Sequence, residues 1–347
     1  MHILRHRVRP ISDSGPHMPR GLRRIIHPLG PLFRHLPLAL RRHLLFLRHR
    51  GTWGNFRAPR SFGEKMQWRI INDRRALLTW TCDKAAQKEY VRNLARTDRH
   101  VANVRVPATY WAGSDIDELR ALSSGMPEGW VFKPNHSCSR FRIFGPSRSG
   151  TTRPDWSELS ALARAWGDYD EEKRVMGHWA YSCARVAMIA EERIGGAEQP
   201  LEFKLLCFGG RVHSLMSQEG IGTDDWRVAY FDREFNRVQS GWEHELPSGT
   251  RELREALSPE VRTTIIGAAE AIAAPFDFMR VDFYLEGGEV WFGELTTYSG
   301  GGLVSVGDAY DLERGGMWRL PDLRAPDPRE AEWRALTAAP LRGTLQR

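Results

Sequence analysis

The sequence predicts an α+β fold in which antiparallel hairpins are covered by helices. Two observations carry this. Runs of β-branched and aromatic residues come in pairs around short glycine turns, as in Phe203–Phe208 with Val212–Met216, and again in Phe278–Glu286 with Glu289–Thr296. Between these pairs lie segments with apolar residues at helical spacing and capping residues at their starts, an order that argues against alternating βαβ units.

Length and charge bound the function. A chain of 347 residues, 41% hydrophobic and 27% charged, has the composition of a soluble globular protein and room for two or three packed units. Its formal charge of +7 is concentrated at one end: residues 1–50 hold 11 Arg, no Lys, one acid (Asp13) and seven of the 12 His, so the other 297 residues carry −3. The body is not basic, and no aromatic interleaving accompanies the charged head, so nucleic-acid binding is not expected. Cys82, Cys138, Cys183 and Cys207 have no C-x-x-C spacing, which points to neither a zinc site nor a disulfide framework and to a cytoplasmic location. No 18-residue apolar run exists to cross a bilayer.

The elements follow in order. In the head (1–50, Arg- and His-rich), Leu40, Leu44, Leu45 and Leu47 predict a basic amphipathic helix. It belongs either to a partly disordered leader docking on the body or to a contact with the inner face of the membrane or with a partner in an assembly complex. Residues 51–125 read as a helical region. Ser61 and Glu64 form a capping-box pair ahead of Phe62, Met66, Ile70 and Ile71, and Asp83 caps a helix through Tyr90, Val91 and Leu94. Lys84, in that helix's first turn, opposes the helix dipole and hints at another use. A short helix follows at 115–122.

A smaller lobe spans 126–190. Trp130–Pro134 is a strand, with Lys133 near its end, and Phe141–Phe144 is its partner. The connecting Asn135–Arg140 is small and polar, and such a loop can fold over an anion that Lys133 would neutralise, although it has no glycine before Gly145. Residues 156–166 and 170–184 read as helices, and Val186–Ile194 as a strand meeting the paired acids Glu191 and Glu192. The larger lobe, 191–320, holds the Phe203–Met216 hairpin with Lys204, a strand at Trp226–Phe231, a helix from Ser258 to about Ala273 and the Phe278–Thr296 hairpin. The Pro- and Arg-rich 321–347 reads as a loose tail.

The last hairpin carries the chemistry. Arg280 and Asp282 are two apart and share a sheet face, while Met279, Val281, Phe283 and Leu285 fill the other. On the second strand Glu294 and Thr296 share a face. If Gly287-Gly288 were a plain two-residue turn, Asp282 would pair with Gly293 and Glu294 would face the wrong way. A three-residue loop over Glu286-Gly287-Gly288, or a bulge in the second strand, is required to put both carboxylates on one face. Hard oxygen donors so arranged suit Mg²⁺, which draws its other ligands from phosphates and water.

The order Lys84, Lys133 before a small-residue loop, Glu191-Glu192, Lys204, Arg280-x-Asp282 and Glu294-Leu295-Thr296 resembles the ATP-grasp superfamily. Phe62-Gly63-Glu64-Lys65, Asp83-Lys84, Phe203-Lys204 and Phe292–Thr296 are similar to its TupA-like branch, named for teichuronopeptide biosynthesis, over about residues 51–320. The resemblance implies a nucleotide held between two α+β lobes built on antiparallel sheets. Lys133 and Lys204 would bind ATP phosphates, with Lys84 as a further contact. His136, Ser137 and Ser139 of the loop would cover them, and Glu191 and Glu192 would lie near adenine and ribose. Asp282, Glu294 and Thr296 would hold Mg²⁺, with Arg280 and Lys204 acting on the transferred phosphoryl group.

The implied reaction joins a small-molecule or glycan carboxylate to an amine through an acyl phosphate, in surface-polysaccharide or specialised-metabolite synthesis. Two alternatives share the same residues: phosphoryl transfer to a hydroxyl, and a non-catalytic nucleotide-binding scaffold in glycan assembly.

Overall fold

The computed structural model describes residues 33–147, 150–168, 175–196, 200–219, 227–241 and 252–341. Most of the Arg-rich head, residues 170–174 of one expected helix and Trp226 of one expected strand therefore lie outside the described residues.

Among the described residues the helices are α1 (Leu38–Arg50), α2 (Phe62–Asn72), α3 (Lys84–Ala95), α4 (Ile116–Leu122), α5 (Trp156–Gly167), α6 (Leu253–Ala256), α7 (Pro259–Ala273), α8 (Asp308–Met317) and α9 (Glu330–Ala335). Several start where their caps predict. Ser61 and Glu64 form the full capping box of α2, and Phe62, Met66 and Ile70 on its next turns are buried. Asp83 caps α3 by accepting from the Ala86 amide, and Ser258 caps α7 through Val261.

Twelve strands among the described residues form two sheets: β1 (Val104–Arg105), β2 (Thr109–Gly113), β3 (Trp130–Pro134), β4 (Arg142–Ser147), β5 (Gly150–Thr152), β6 (Met188–Glu192), β7 (Leu201–Phe208), β8 (Arg211–Glu219), β9 (Arg227–Asp232), β10 (Arg237–Val238), β11 (Phe278–Glu286) and β12 (Glu289–Thr296). The large sheet runs β1-β12-β11-β7-β8-β9-β10 and the small one β2-β6-β3-β4-β5. Every pairing is antiparallel except β1 with β12. The class is α+β, as the hairpin pattern predicts.

Each sheet buries one face. Under the large sheet, Phe203, Leu205, Val281 and Phe283 pack with Ile265 and Ile272 of α7. Beside the small sheet, Trp111, Trp130 and Phe132 pack with Leu159 and Trp166 of α5. The alternation that sends those residues inward sends Lys204, Arg280 and Asp282 to the opposite face.

Three expectations need correction. Residues 51–125 are not helical throughout, because they supply β1 to the large sheet and β2 to the small one; a two-residue strand leaves no periodic signal. The described part of 170–184 holds only a 3₁₀ turn, Trp179–Ser182. The tail is not loose over its described length: Trp333 of α9 is buried and stacks on Trp80, with centroids 6.0 Å apart. The Gly287-Gly288 turn is the two-residue kind, with φ of 58° and 81° and Glu286 paired with Glu289, so of the two expected arrangements the one left is a bulge in the second strand.

Candidate active site

A two-residue turn would misalign the carboxylates if pairing were unbroken, but the register shifts between Asp282 and Phe283. Phe283 pairs with Phe292 and Asp282 with Glu294, leaving Gly293 as the extra residue of a β-bulge. Glycine is required there, since a Cβ would stand 2.9 Å from the Asp282 carbonyl oxygen. The bulge, rather than a three-residue loop, brings Glu294 onto the face of Asp282. On the other side Asp282 pairs with Lys204, so Lys204, Asp282 and Glu294 form a row across β7, β11 and β12.

The row is bound together. Arg280 donates from Nε to Asp282 Oδ1 (2.7 Å) and from Nη2 to Oδ2 (2.6 Å), and Nη2 lies 3.4 Å from Glu294 Oε1. Thr296 donates to the same Glu294 oxygen at 3.2 Å. Lys204 Nζ is held by Glu202 and lies 3.5 Å from Asp282 Oδ2.

The small sheet and α3 supply the facing cations. Lys133 and Lys88 grip opposite oxygens of the buried Glu191, and Lys88 also donates to Thr109 Oγ1 at 3.1 Å. Lys84 donates to the Ser137 carbonyl. The α3 end is fixed to this loop, because the Lys84 and Ala85 amides donate to the Asn135 carbonyl and side chain. Gln87 clamps β12 by accepting from the Leu295 amide and donating to its carbonyl, both at 3.0 Å.

The fields of these groups overlap. Burial alone would raise the Glu294 carboxyl, but Lys84, Arg280, Lys204 and Lys133 outweigh it and hold it below the usual glutamate range. Burial also works against Glu191, yet Lys133 and Lys88 bring it down to about 2. Lys88 is lowered to about 8, first by burial, with Glu191 opposing and Lys133 adding repulsion. Both groups of that pair move down, but with opposite meaning: for Glu191 the two ammonium groups outweigh burial and favour the charged form, whereas for Lys88 burial outweighs Glu191 and disfavours it. Glu202 is raised, by burial first and then by Asp282, against the pull of Lys204.

Of the side chains singled out in the sequence, Lys84, Lys133, Lys204, Glu191, Arg280, Asp282, Glu294 and Thr296 come together around the Asp282–Glu294 row. His136 and Ser137 do not join them as side chains. The His136 ring is buried beside α5, with Nε2 3.1 Å from the Trp166 carbonyl, and Ser137 meets the cluster through its main chain. The reason is that the loop's first three residues are sealed under α3 and the small-lobe core. Ser139 is exposed and takes a left-handed φ of 57°, the conformation glycine more often supplies. Glu192 is occupied with the Ala108 amide at 3.0 Å.

Lys88, Glu202 and Gln87 went unrecognised in the sequence. Four-residue spacing from Lys84 on a helix, and two-residue spacing from Lys204 on a strand, were the available signals for the first two.

The donor set fits Mg²⁺. Two carboxylates and a hydroxyl present hard oxygens, and Arg280, which now binds both Asp282 oxygens, would have to share them with the ion. Among the described residues there is no group of three or more His, Cys, Asp or Glu side chains placed to hold a metal, so an ion at Asp282 and Glu294 would need further oxygens from a ligand or water.

Comparison with known proteins gives the family. The TupA-like ATPgrasp family matches residues 64–318. No curated protein matches the chain. Among solved structures it resembles the ATP-grasp ligase PsnB complexed with minimal precursor (13% identity, TM-score 0.35, 68% of this chain and 60% of that one). It also resembles D-alanine–D-alanine ligase from Bacillus anthracis complexed with ATP (16%, 0.36, 69% and 66%). A third is the macrocyclase MdnC bound with precursor peptide MdnA from Microcystis aeruginosa (14%, 0.31, 63% and 52%). The chain thus spans about 60% of the length of the PsnB chain it matches. The family match covers well over half of the 347 residues and includes Lys84, Lys133, Lys204, Asp282 and Glu294, and the chain belongs to the TupA-like ATP-grasp family.

Proposed function

We propose that the protein is an ATP-dependent carboxylate–amine ligase. The observation that carries this reading is the row Lys204, Asp282, Glu294 on the large sheet, faced by Lys133 of the small sheet and Lys84 of α3. Cations from three elements converge on two carboxylates, the charge pattern that a nucleotide polyphosphate and its divalent ion require.

In this reading Lys133 and Lys204 take ATP phosphates from the two lobes, and Lys84 adds a third positive charge. Glu191 and Glu192, at the end of β6, would lie near adenine and ribose. Asp282 and Glu294, with Thr296 beside them, hold Mg²⁺, which would neutralise phosphate charge and orient the transferred group. Arg280 steadies the transferred phosphoryl or the acceptor carboxylate by its planar fork.

A carboxylate oxygen attacks the γ-phosphorus, the bond to the β–γ bridging oxygen breaks, and ADP leaves. The amine nitrogen then attacks the acyl carbon, phosphate departs and the nitrogen loses a proton, giving an amide. The residues position and neutralise; none need form a covalent bond. The acyl donor is a glycan uronate or an amino acid, in assembly of a surface polysaccharide or a specialised metabolite. The Arg-rich head, residues 1–50, is the segment for any contact with the membrane's inner face or with an assembly partner. Among the described residues no helix is long and apolar enough to cross a membrane.

Phosphate release against a panel of uronates and amino acids, with and without amines, tests the reaction. A ligase releases phosphate only when both partners are present, whereas a stable phosphorylated product formed without amine would replace the reading with phosphoryl transfer to a hydroxyl. Asp282→Asn and Glu294→Gln are each expected to abolish Mg²⁺-dependent turnover with thermal melting little changed, and full activity in both would remove the metal assignment.

A further inference from the structure

Glu191 poses a problem that Lys133 alone cannot solve. Its carboxylate is buried at 6% exposure, and Lys133 holds one oxygen. If Lys133 is the lysine that takes an ATP phosphate, as proposed above, it must loosen its hold on Glu191 when the nucleotide arrives. A buried carboxylate that loses its partner is strongly destabilised. The penalty would be subtracted from nucleotide affinity.

The second oxygen of Glu191 is held by Lys88. The two lysines differ in access: the Lys133 side chain is 19% exposed, whereas that of Lys88 is 3% exposed and is fixed additionally by Thr109 Oγ1 at 3.1 Å. Lys133 is therefore open to a ligand, and Lys88 is sealed behind it. Helical spacing supports the division, since Lys84 and Lys88 lie one turn apart on α3 and reach, respectively, the loop after β3 and the end of β6.

We propose that Lys88 is a positioning residue for nucleotide binding: by holding one oxygen of Glu191 it frees Lys133 to turn to a phosphate without stranding the carboxylate. Lys88 touches no nucleotide itself. Its effect passes through Glu191, so it should vanish when Glu191 carries no charge.

This inference rests on the nucleotide reading, and a mutant cycle separates the two. Binding of Mg²⁺ with the non-hydrolysable analogue AMPPNP is measured by calorimetry for the wild type, Lys88→Met, Glu191→Gln and the double variant. Lys88→Met is expected to weaken binding at least tenfold in the wild-type background and less than twofold in the Glu191→Gln background. Equal losses in both backgrounds, or none in the first, would overturn the role of Lys88. Wild-type protein that fails to bind Mg·AMPPNP would overturn the nucleotide reading and the role of Lys88 with it. Should Lys88→Met not fold, Lys88→Gln, which keeps a donor for Thr109, takes its place in the same cycle.

Discussion

Arg280 touches both carboxylates of the proposed metal site, and its two parallel bonds to Asp282 use the planar geometry of a guanidinium. Lysine offers the charge without the fork. Arg280→Lys is therefore expected to leave the melting temperature within a few degrees while lowering kcat about a hundredfold, the scale on which loss of one directed donor to developing charge is felt; steady-state kinetics at saturating Mg·ATP checks it. Residues of this kind were legible in the sequence because strand alternation fixes a side chain's face: Arg280, Asp282 and Lys204 stand out as charges in otherwise apolar strands. Lys88 and Glu202 were not, because each looks like an ordinary surface charge until the fold buries it. His136 misled for the converse reason, since a polar loop residue gives no sign that its ring will seat beside Trp166.

The hairpin of β11 and β12 shows how one element converts backbone geometry into chemistry. Alternation and the glycine turn identified it, and the need for Asp282 and Glu294 to share a face implied an irregularity. What the sequence left open was where the irregularity falls. Gly293 resolves it: the turn is regular and the extra residue sits beside the carboxylates, where a side chain would strike the Asp282 carbonyl and, at 3.1 Å, the Tyr284 ring. Gly293→Val should destabilise the protein by about 1–3 kcal/mol, the usual cost of overpacking. It should also reduce Mg²⁺-dependent nucleotide binding far more than that global loss explains, because relief of the clash shifts Glu294 out of line. Urea unfolding alongside calorimetry separates the two effects, and binding that falls only in proportion to the unfolded fraction would detach the bulge from the site.

Across the whole molecule, contacts distant in sequence tie the lobes to what surrounds them, and these were the least legible. Of the two expectations for the head's last helix, docking on the body is the one that α1 meets, and Arg42 is fully buried there. It donates to the Gly301 carbonyl (2.7 Å), the Met176 carbonyl (3.2 Å) and Gln67 Oε1 (2.7 Å), so α1 docks on the corner that follows β12. Composition cannot distinguish an arginine that faces water from one that satisfies buried carbonyls. The same long-range logic governs the Glu191 cluster, which joins α3 to the small sheet, and here it makes stability depend on pH. Glu191 titrates near 2 in the folded protein because Lys133 and Lys88 flank it, against an ordinary value near 4.3 when unfolded. Between those values the unfolded chain binds a proton that the folded one refuses, so the stabilisation is complete above about pH 5 and is lost as pH falls toward 2. Glu191→Gln removes the titration, so urea-unfolding free energies followed from pH 6 to pH 2.5 should fall less steeply for the variant than for the wild type. Parallel curves would show that Glu191 is not held ionised by its two lysines, and that the cluster does not lock α3 to the small lobe by charge.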